Sequence, residues 1–241
     1  MKLLLLIAAL MGGCAGEAPQ QEPVAVEAPA LSAEARALIA PVAAAIATEE
    51  ARQAALPPPA DVRERLERMG RLDQAGRMAG IAVDLSALPE GERQVAMAAL
   101  WAPVTALDGR LTGELLPLVP EEGWFLPSVY GEQASSAAFL IIQHSTIEQW
   151  RRFVPVLEPL ALAGEIDGQD FGLMYDRLAI NEGRPQRYGT QMTCKAGKWV
   201  IDYANLEDPE HADERRADMG FHWTLAEYED LFAHYPPCTE D

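Results

Sequence analysis

Prolines divide this chain into helix-sized lengths, and that punctuation constrains its fold more than any other feature. A proline inside a helix removes an amide donor and crowds the preceding turn. Between the prolines, apolar residues recur at helical spacing. Ser32 can cap a first helix that carries Leu38, Ile39, Val42 and Ile46, which Pro41 should kink or divide. Pro57-Pro58-Pro59 stops it. Asp61 can cap the next helix, striped by Val62, Leu66, Met69 and Leu72. Its wet side carries Arg63, Glu64, Arg65, Glu67 and Arg68. Pro89 suits a first turn, and a helix is expected from there through Val95, Met97, Leu100 and Trp101, with another over about residues 105–118.

The second half continues in this way. A loop from Gly123 to Pro127 carries Trp124 and Phe125. Residues 131–144 form an expected buried helix, with small residues Ala134, Ser135, Ala137 and Ala138 before Phe139-Leu140-Ile141-Ile142. Helices follow over 146–162, interrupted by Pro155 and Pro159, and over 169–182. Residues 190–194 and 199–203 flank Lys195-Ala196-Gly197-Lys198, a hairpin with a four-residue connection. A last helix covers about 224–234. No internal repeat is present, and an apolar fraction of 49% supplies a core. The expected fold is mainly α: an Ala-rich helical segment over 32–60, then a single helical domain over 61–241 with a small C-terminal β-hairpin. A signal peptide and a disordered tether precede them.

That preceding part has the layout of a secretory signal: Lys2, an apolar run Leu3–Met11, then Gly12-Gly13-Cys14. Nine apolar residues are too few to span a bilayer. The end of the run resembles the lipobox of bacterial lipoproteins, with Met11 where Leu is usual. The alternative is an ordinary signal peptide followed by a chance cysteine. The resemblance implies cleavage after residue 13 and lipidation of Cys14. With Ala15 next, it implies the periplasmic face of the outer membrane. Residues 14–31 then form a linker whose stretch 15–30, rich in Ala, Pro, Glu and Gln, reads as a disordered tether. As a coil it spans roughly 20–25 Å.

Three cysteines, an odd number, ask for an explanation in an exported chain. Lipidation of Cys14 leaves Cys194 and Cys238, which can pair in an oxidising compartment or stay as two buried thiols. Pairing would contribute on the order of 3–4 kcal/mol. Without the first 13 residues the chain holds 18 Lys and Arg against 37 Asp and Glu, a balance of −19. That charge repels phosphate backbones and argues against nucleic-acid partners. It also argues against electrostatic docking on anionic lipid, so membrane attachment falls to the acyl chains on Cys14.

Polar side chains concentrate in three places: Gln143-His144, Asp176-Arg177, and Gln186-Arg187-Tyr188-Gly189-Thr190-Gln191. Upstream stands Asp73-Gln74-Ala75-Gly76-Arg77, and downstream stand Asp208-Pro209, Asp213 and Arg215-Arg216. With Gly131-Glu132-Gln133-Ala134, these stretches keep the order of motifs of the bacterial domain-of-unknown-function family numbered 6624. The chain resembles that family over about residues 61–232. The loop Gly123-Trp124-Phe125-Leu126-Pro127 is longer than the family's compact form. Ser145-Thr146 follow His144 where members often show Ala and then Asp. The resemblance implies a fold unit and no activity.

His144 is the candidate for proton transfer, because imidazole titrates near neutral pH; as a helix-terminal residue it can equally serve the helix end. Asp176 and Arg177 point about 100° apart on a helix, so each reaches a different partner. Arg177 can clamp an anion. Alternatively, the pair ties the helix to the loop through Gln186, Tyr188 or Gln191. Gln143, Gln186, Tyr188, Thr190 and Gln191 are the ligand-binding candidates. Thr190 has no adjacent base to make it a nucleophile. Glu132 and Asp176 are conceivable paired carboxylates, and Arg215-Arg216 reads as a charged helix face. His211, His222 and His234 show no metal spacing, and neither metal nor cofactor is implied. The expected function is a lipid-anchored envelope protein with a binding or interaction domain. The alternatives are an envelope hydrolase using His144 as acid or base with Arg177 as clamp, and a purely structural lipoprotein.

Overall fold

Side-chain caps set the first two helices. Ser32 accepts the Ala35 amide to open α1 (Ala33–Ala54), and Asp61 accepts the Glu64 amide to open α2 (Val62–Ile81). The computed structural model describes residues 31–235 and Cys238. The signal peptide 1–13, the lipidation site Cys14 and the tether 15–30 lie outside the described residues. Where Pro41 was expected to kink or divide the first helix, α1 runs on undivided. Pro41 and Ala37, whose carbonyl it leaves without an amide, are both exposed, so that carbonyl is open to solvent and its lost bond costs little. Two expected helices likewise fuse into α3 (Glu90–Leu115), which carries Pro103 inside it and ends in a 3₁₀ turn at Leu116–Leu118.

A four-residue turn, α4 (Pro127–Tyr130), leads into α5 (Glu132–Gln143), and Thr146 precedes α6 (Ile147–Leu162). The prolines at 155 and 159 do not interrupt α6, because both stand on its exposed side one turn apart. Asp167 caps α7 (Gly168–Asn181) by accepting the Gln169 and Asp170 amides. The chain then forms β1 (Met192–Lys195) and β2 (Lys198–Ile201), antiparallel, with Met192 opposite Ile201. Their connection is two residues, not four: Ala196 and Gly197 have φ of 50° and 75°, the left-handed pair that a tight hairpin needs. Helices α8 (Ala212–Asp218) and α9 (Leu225–Phe232) close the fold, and Thr224 and Glu227 form a capping box at α9. A disulfide joins Cys194 in β1 to Cys238, with Cα atoms 5.7 Å apart.

Nine α-helices and one two-stranded sheet therefore lie among the described residues. None of these helices is long and apolar enough to cross a membrane. One apolar core takes Val42 and Ile46 from α1, Leu66 and Leu72 from α2, Leu100 and Val104 from α3, and Phe139 and Ile142 from α5. The Ala-rich first helix thus shares its core with α2. A smaller cluster of Ile201, Leu206, Ala212 and Leu225 lies at the hairpin. Trp124 and Phe125 are buried from their loop and meet edge to face. At Gly70, α2 and α5 approach so closely that an added Cβ would stand 2.5 Å from that of Ala137. This approach brings the polar residues farther along both helices together.

Candidate functional site

His144 caps the C-terminus of α5, and its backbone amide binds the Leu140 carbonyl at 2.9 Å. Its side chain turns toward α2, where Nδ1 lies 3.0 Å from Asp73 Oδ1. Gln74 donates to Asp73 Oδ2 at 2.7 Å, and Arg77 Nε lies 3.7 Å from the same oxygen. Asp73 is fully buried, whereas His144 keeps 16% of its side chain open to solvent. The Nε2 atom of His144 has no hydrogen-bond partner among the described residues. A buried carboxylate on one ring nitrogen holds an imidazole in one tautomer and one orientation, leaving the other nitrogen to exchange protons.

Two guanidinium groups flank this pair. Arg77 reaches from α2 to Asp108 on α3 and makes a close ion pair with it. Burial pushes the Asp108 carboxyl above its ordinary value, against the pull of Arg77. Arg177 comes from α7, donates to the Gln143 carbonyl at 3.4 Å and lies over the Trp150 ring at 5.9 Å. Trp150 is itself fixed by a bond from Nε1 to the Ile142 carbonyl at 3.0 Å. Arg177 has no carboxylate partner among the described residues. Burial and the charge of Arg77 push it below the usual arginine value, although a guanidinium stays protonated. A half-buried cation beside a second cation is an unfavourable arrangement that an anion would relieve.

Asp73, Asp108 and His144 also offer ligand atoms within 4.8 Å of one another. The donor types suit a divalent cation. The Arg77 guanidinium, however, pairs with both carboxylates and holds the positive charge there already. A metal would have to displace Arg77 or stand beside it, so these residues fit an ion poorly.

The remaining predicted residues form a second group, which faces inward. Asp176 is completely buried and accepts the amides of Arg187, Tyr188 and Thr190 as well as the Thr190 hydroxyl. Burial pushes its carboxyl up, and these four donors pull it back. Gln186 closes a ring with Gln191, donating to its carbonyl at 3.0 Å and accepting its amide at 2.8 Å. Gln191 reaches the Leu173 carbonyl on α7. The Tyr188 ring stacks on Phe221 at 5.3 Å. The geometry therefore gives Gln186, Tyr188, Thr190 and Gln191 structural partners, and it places Asp176 where no substrate reaches it. Glu132 is exposed at the start of α5, so a hydrolytic pair with Asp176 does not form.

Arg215-Arg216 is also not the charged face expected. Arg215 spans from α8 to the Arg187 carbonyl. Arg216 is 1% exposed and donates to the Tyr188 and Trp223 carbonyls between the rings of Phe221 and Tyr228. Of the candidate site residues, the structure thus brings His144, Gln143 and Arg177 together and holds Asp176, Gln186, Tyr188, Thr190 and Gln191 in the loop network. It joins to the first group Asp73 and Arg77 from the upstream motif, together with Asp108 and Trp150.

A family model matches residues 60–235 of the chain. The chain belongs to the family of unknown function DUF6624. The match takes in the fold from α2 to α9 and every residue of both polar groups. No curated protein and no solved structure matches the chain. In this DUF6624 chain the acid that stands against the histidine is Asp73, and it comes from α2, not from the residues after His144. Asp73 and Arg77 were visible in the Asp73–Arg77 motif; Asp108 and Trp150 carried no sequence signal.

Proposed function

We propose that this chain is a lipid-anchored protein of the cell envelope whose domain binds an anionic ligand at Arg177. The unmatched guanidinium carries the ligand reading: Arg177 stands half-buried beside Arg77 with no carboxylate to balance it. The order Lys2, Leu3–Met11, Gly12-Gly13-Cys14 supports the anchor, and Ala15 supports the periplasmic face of the outer membrane. Acetate and inorganic phosphate serve as probes, followed by the ring resonances of His144 and Trp150 in NMR titrations. Arg177→Ala removes charge-assisted bonds of about 1.5–3 kcal/mol, a loss of ten-fold or more in affinity. Equal binding by wild type and variant rejects the clamp. For the anchor, the full chain enters the detergent phase and Cys14→Ser stays in the aqueous phase; a soluble wild type rejects it.

A second reading follows from one further observation. His144 is held by Asp73 through Nδ1, with Nε2 unpaired and partly open. That is the arrangement of a general acid or base. In an envelope hydrolase, Arg177 would hold the anionic part of a substrate while His144 moved the proton. Turnover that His144→Ala abolishes, with ligand affinity retained, distinguishes this reading from binding alone.

A further inference from the structure

A groove of about 260 Å³ lies between α2 and α5, lined along one wall by Glu67, Arg71 and Gln74 and along the other by Gln133, Ser136 and Leu140. Its floor is Gly70 and Ala137, the point of closest helix approach. Residues one turn on from this lining are those of the candidate site. His144 follows Leu140 by four positions on α5, and Arg77 follows Gln74 by three on α2, so each lies on the groove's own face. Gln74 joins the two physically: it lines the groove and donates to Asp73, which holds His144. We infer that the groove holds the last residues of an extended peptide whose free carboxylate is received by Arg177. This rests on the reading of Arg177 as an anion clamp.

Three observations select a peptide. The groove has no aromatic ring among its lining residues, and sugar rings bind most often through aromatic faces. Its walls offer amide, hydroxyl and guanidinium donors: the Gln133 and Ser136 side chains have no partner among the described residues, and the Arg71 guanidinium is part-exposed, with only a long ion pair from Nε to Glu49 at 3.9 Å. Such donors match the carbonyls of an extended backbone. The floor of Gly70 and Ala137 presents nothing larger than a methyl group, so a peptide backbone can lie close to it. From Glu67 to Arg77 α2 rises about 15 Å, which an extended peptide covers in four or five residues at about 3.3 Å each.

The probe is therefore N-acetyl-tetraalanine with a free carboxylate, compared with its amidated twin and with acetate on the full chain. Binding is read from NMR shifts of His144 and of the amides around Gln74 and Ser136. The free acid is expected to shift both sets, and the amidated twin to bind at least ten-fold more weakly. Ser136→Trp, an exposed position, fills the groove; it is expected to lose the tetrapeptide and to keep acetate. If Ser136→Trp binds the tetrapeptide as the wild type does while Arg177→Ala does not, the groove is wrong and the clamp stands. If Arg177→Ala changes neither acetate nor peptide, the clamp itself is wrong and the inference falls with it. Wild type that binds acetate and not the tetrapeptide, or that takes a chitotetraose in the groove in its place, overturns the peptide assignment.

Discussion

Replacing Asp176 by Asn changes one atom and should cost more than most core truncations. The carboxylate is fully buried. Its Oδ1 accepts Arg187 N at 2.7 Å and Tyr188 N at 3.1 Å, and its Oδ2 accepts Thr190 N and Thr190 Oγ1, each at 2.9 Å. An asparagine keeps one acceptor oxygen and turns an NH₂ toward the other set of donors. Two charge-assisted bonds are lost, each worth about 1.5–3 kcal/mol, and a buried amide is left facing another donor. We expect a loss of about 3–5 kcal/mol, a large part of the roughly 5–15 kcal/mol of a typical domain. Urea unfolding of wild type and Asp176→Asn, both with the disulfide intact, measures it. Amide hydrogen exchange locates it, with the Arg187, Tyr188 and Thr190 amides losing protection before those of α2. A loss below about 1 kcal/mol, or unchanged protection at these three amides, would refute the view that one carboxylate organises the loop.

Asp170 gives a pH signature, because burial and the neighbouring Asp167 raise its carboxyl to about 6. A raised folded-state value favours the protonated form. Its contribution is fully present below the unfolded-state value near 4 and is lost as pH rises through about 6. Relative to Asp170→Asn, the wild type should lose about 2 kcal/mol between pH 4 and pH 7, and a stability difference that stays flat with pH contradicts this. Gly70→Ala places a Cβ 2.5 Å from that of Ala137; it should cost about 1–3 kcal/mol and weaken the Asp73–His144 contact, as urea unfolding and the His144 ring shifts report. Cys238→Ser opens the Cys194–Cys238 bridge across a separation of 44 residues and should cost about 4 kcal/mol in thermal or urea unfolding; a change within error would mean the bridge constrains little.

The helices were legible because their signals are local. Ser32, Asp61 and Thr224 each act within one turn, and stripes such as Leu66, Met69 and Leu72 have one period. The prolines misled where the answer depended on a direction that sequence does not contain. Pro41, Pro155 and Pro159 point to water, so their helices survive. The candidate site was half legible. His144 and Arg177 stand out by residue type, and the divergence of Asp176 from Arg177 follows from helical geometry. The roles of Gln186, Tyr188, Thr190 and Gln191 were not legible, because a polar side chain that binds a ligand looks the same in sequence as one that satisfies a buried loop. Nor was the pairing of Asp108 with Arg77, which depends on how α3 crosses α2.

Asp73 and His144 are 71 residues apart in the chain, and that separation has a kinetic meaning. Closing so long a loop carries an entropic cost that only tertiary packing offsets, and contacts of this range form slowly compared with local helices. Synthesis has to pass residue 144 before the pair can exist, and residue 177 before the second guanidinium arrives. A chain threaded unfolded across a membrane, as the proposed export requires, carries its helical propensities with it but no assembled site. The chemistry of His144 and Arg177 would then switch on only after folding on the far side, so that folding itself acts as the activating step.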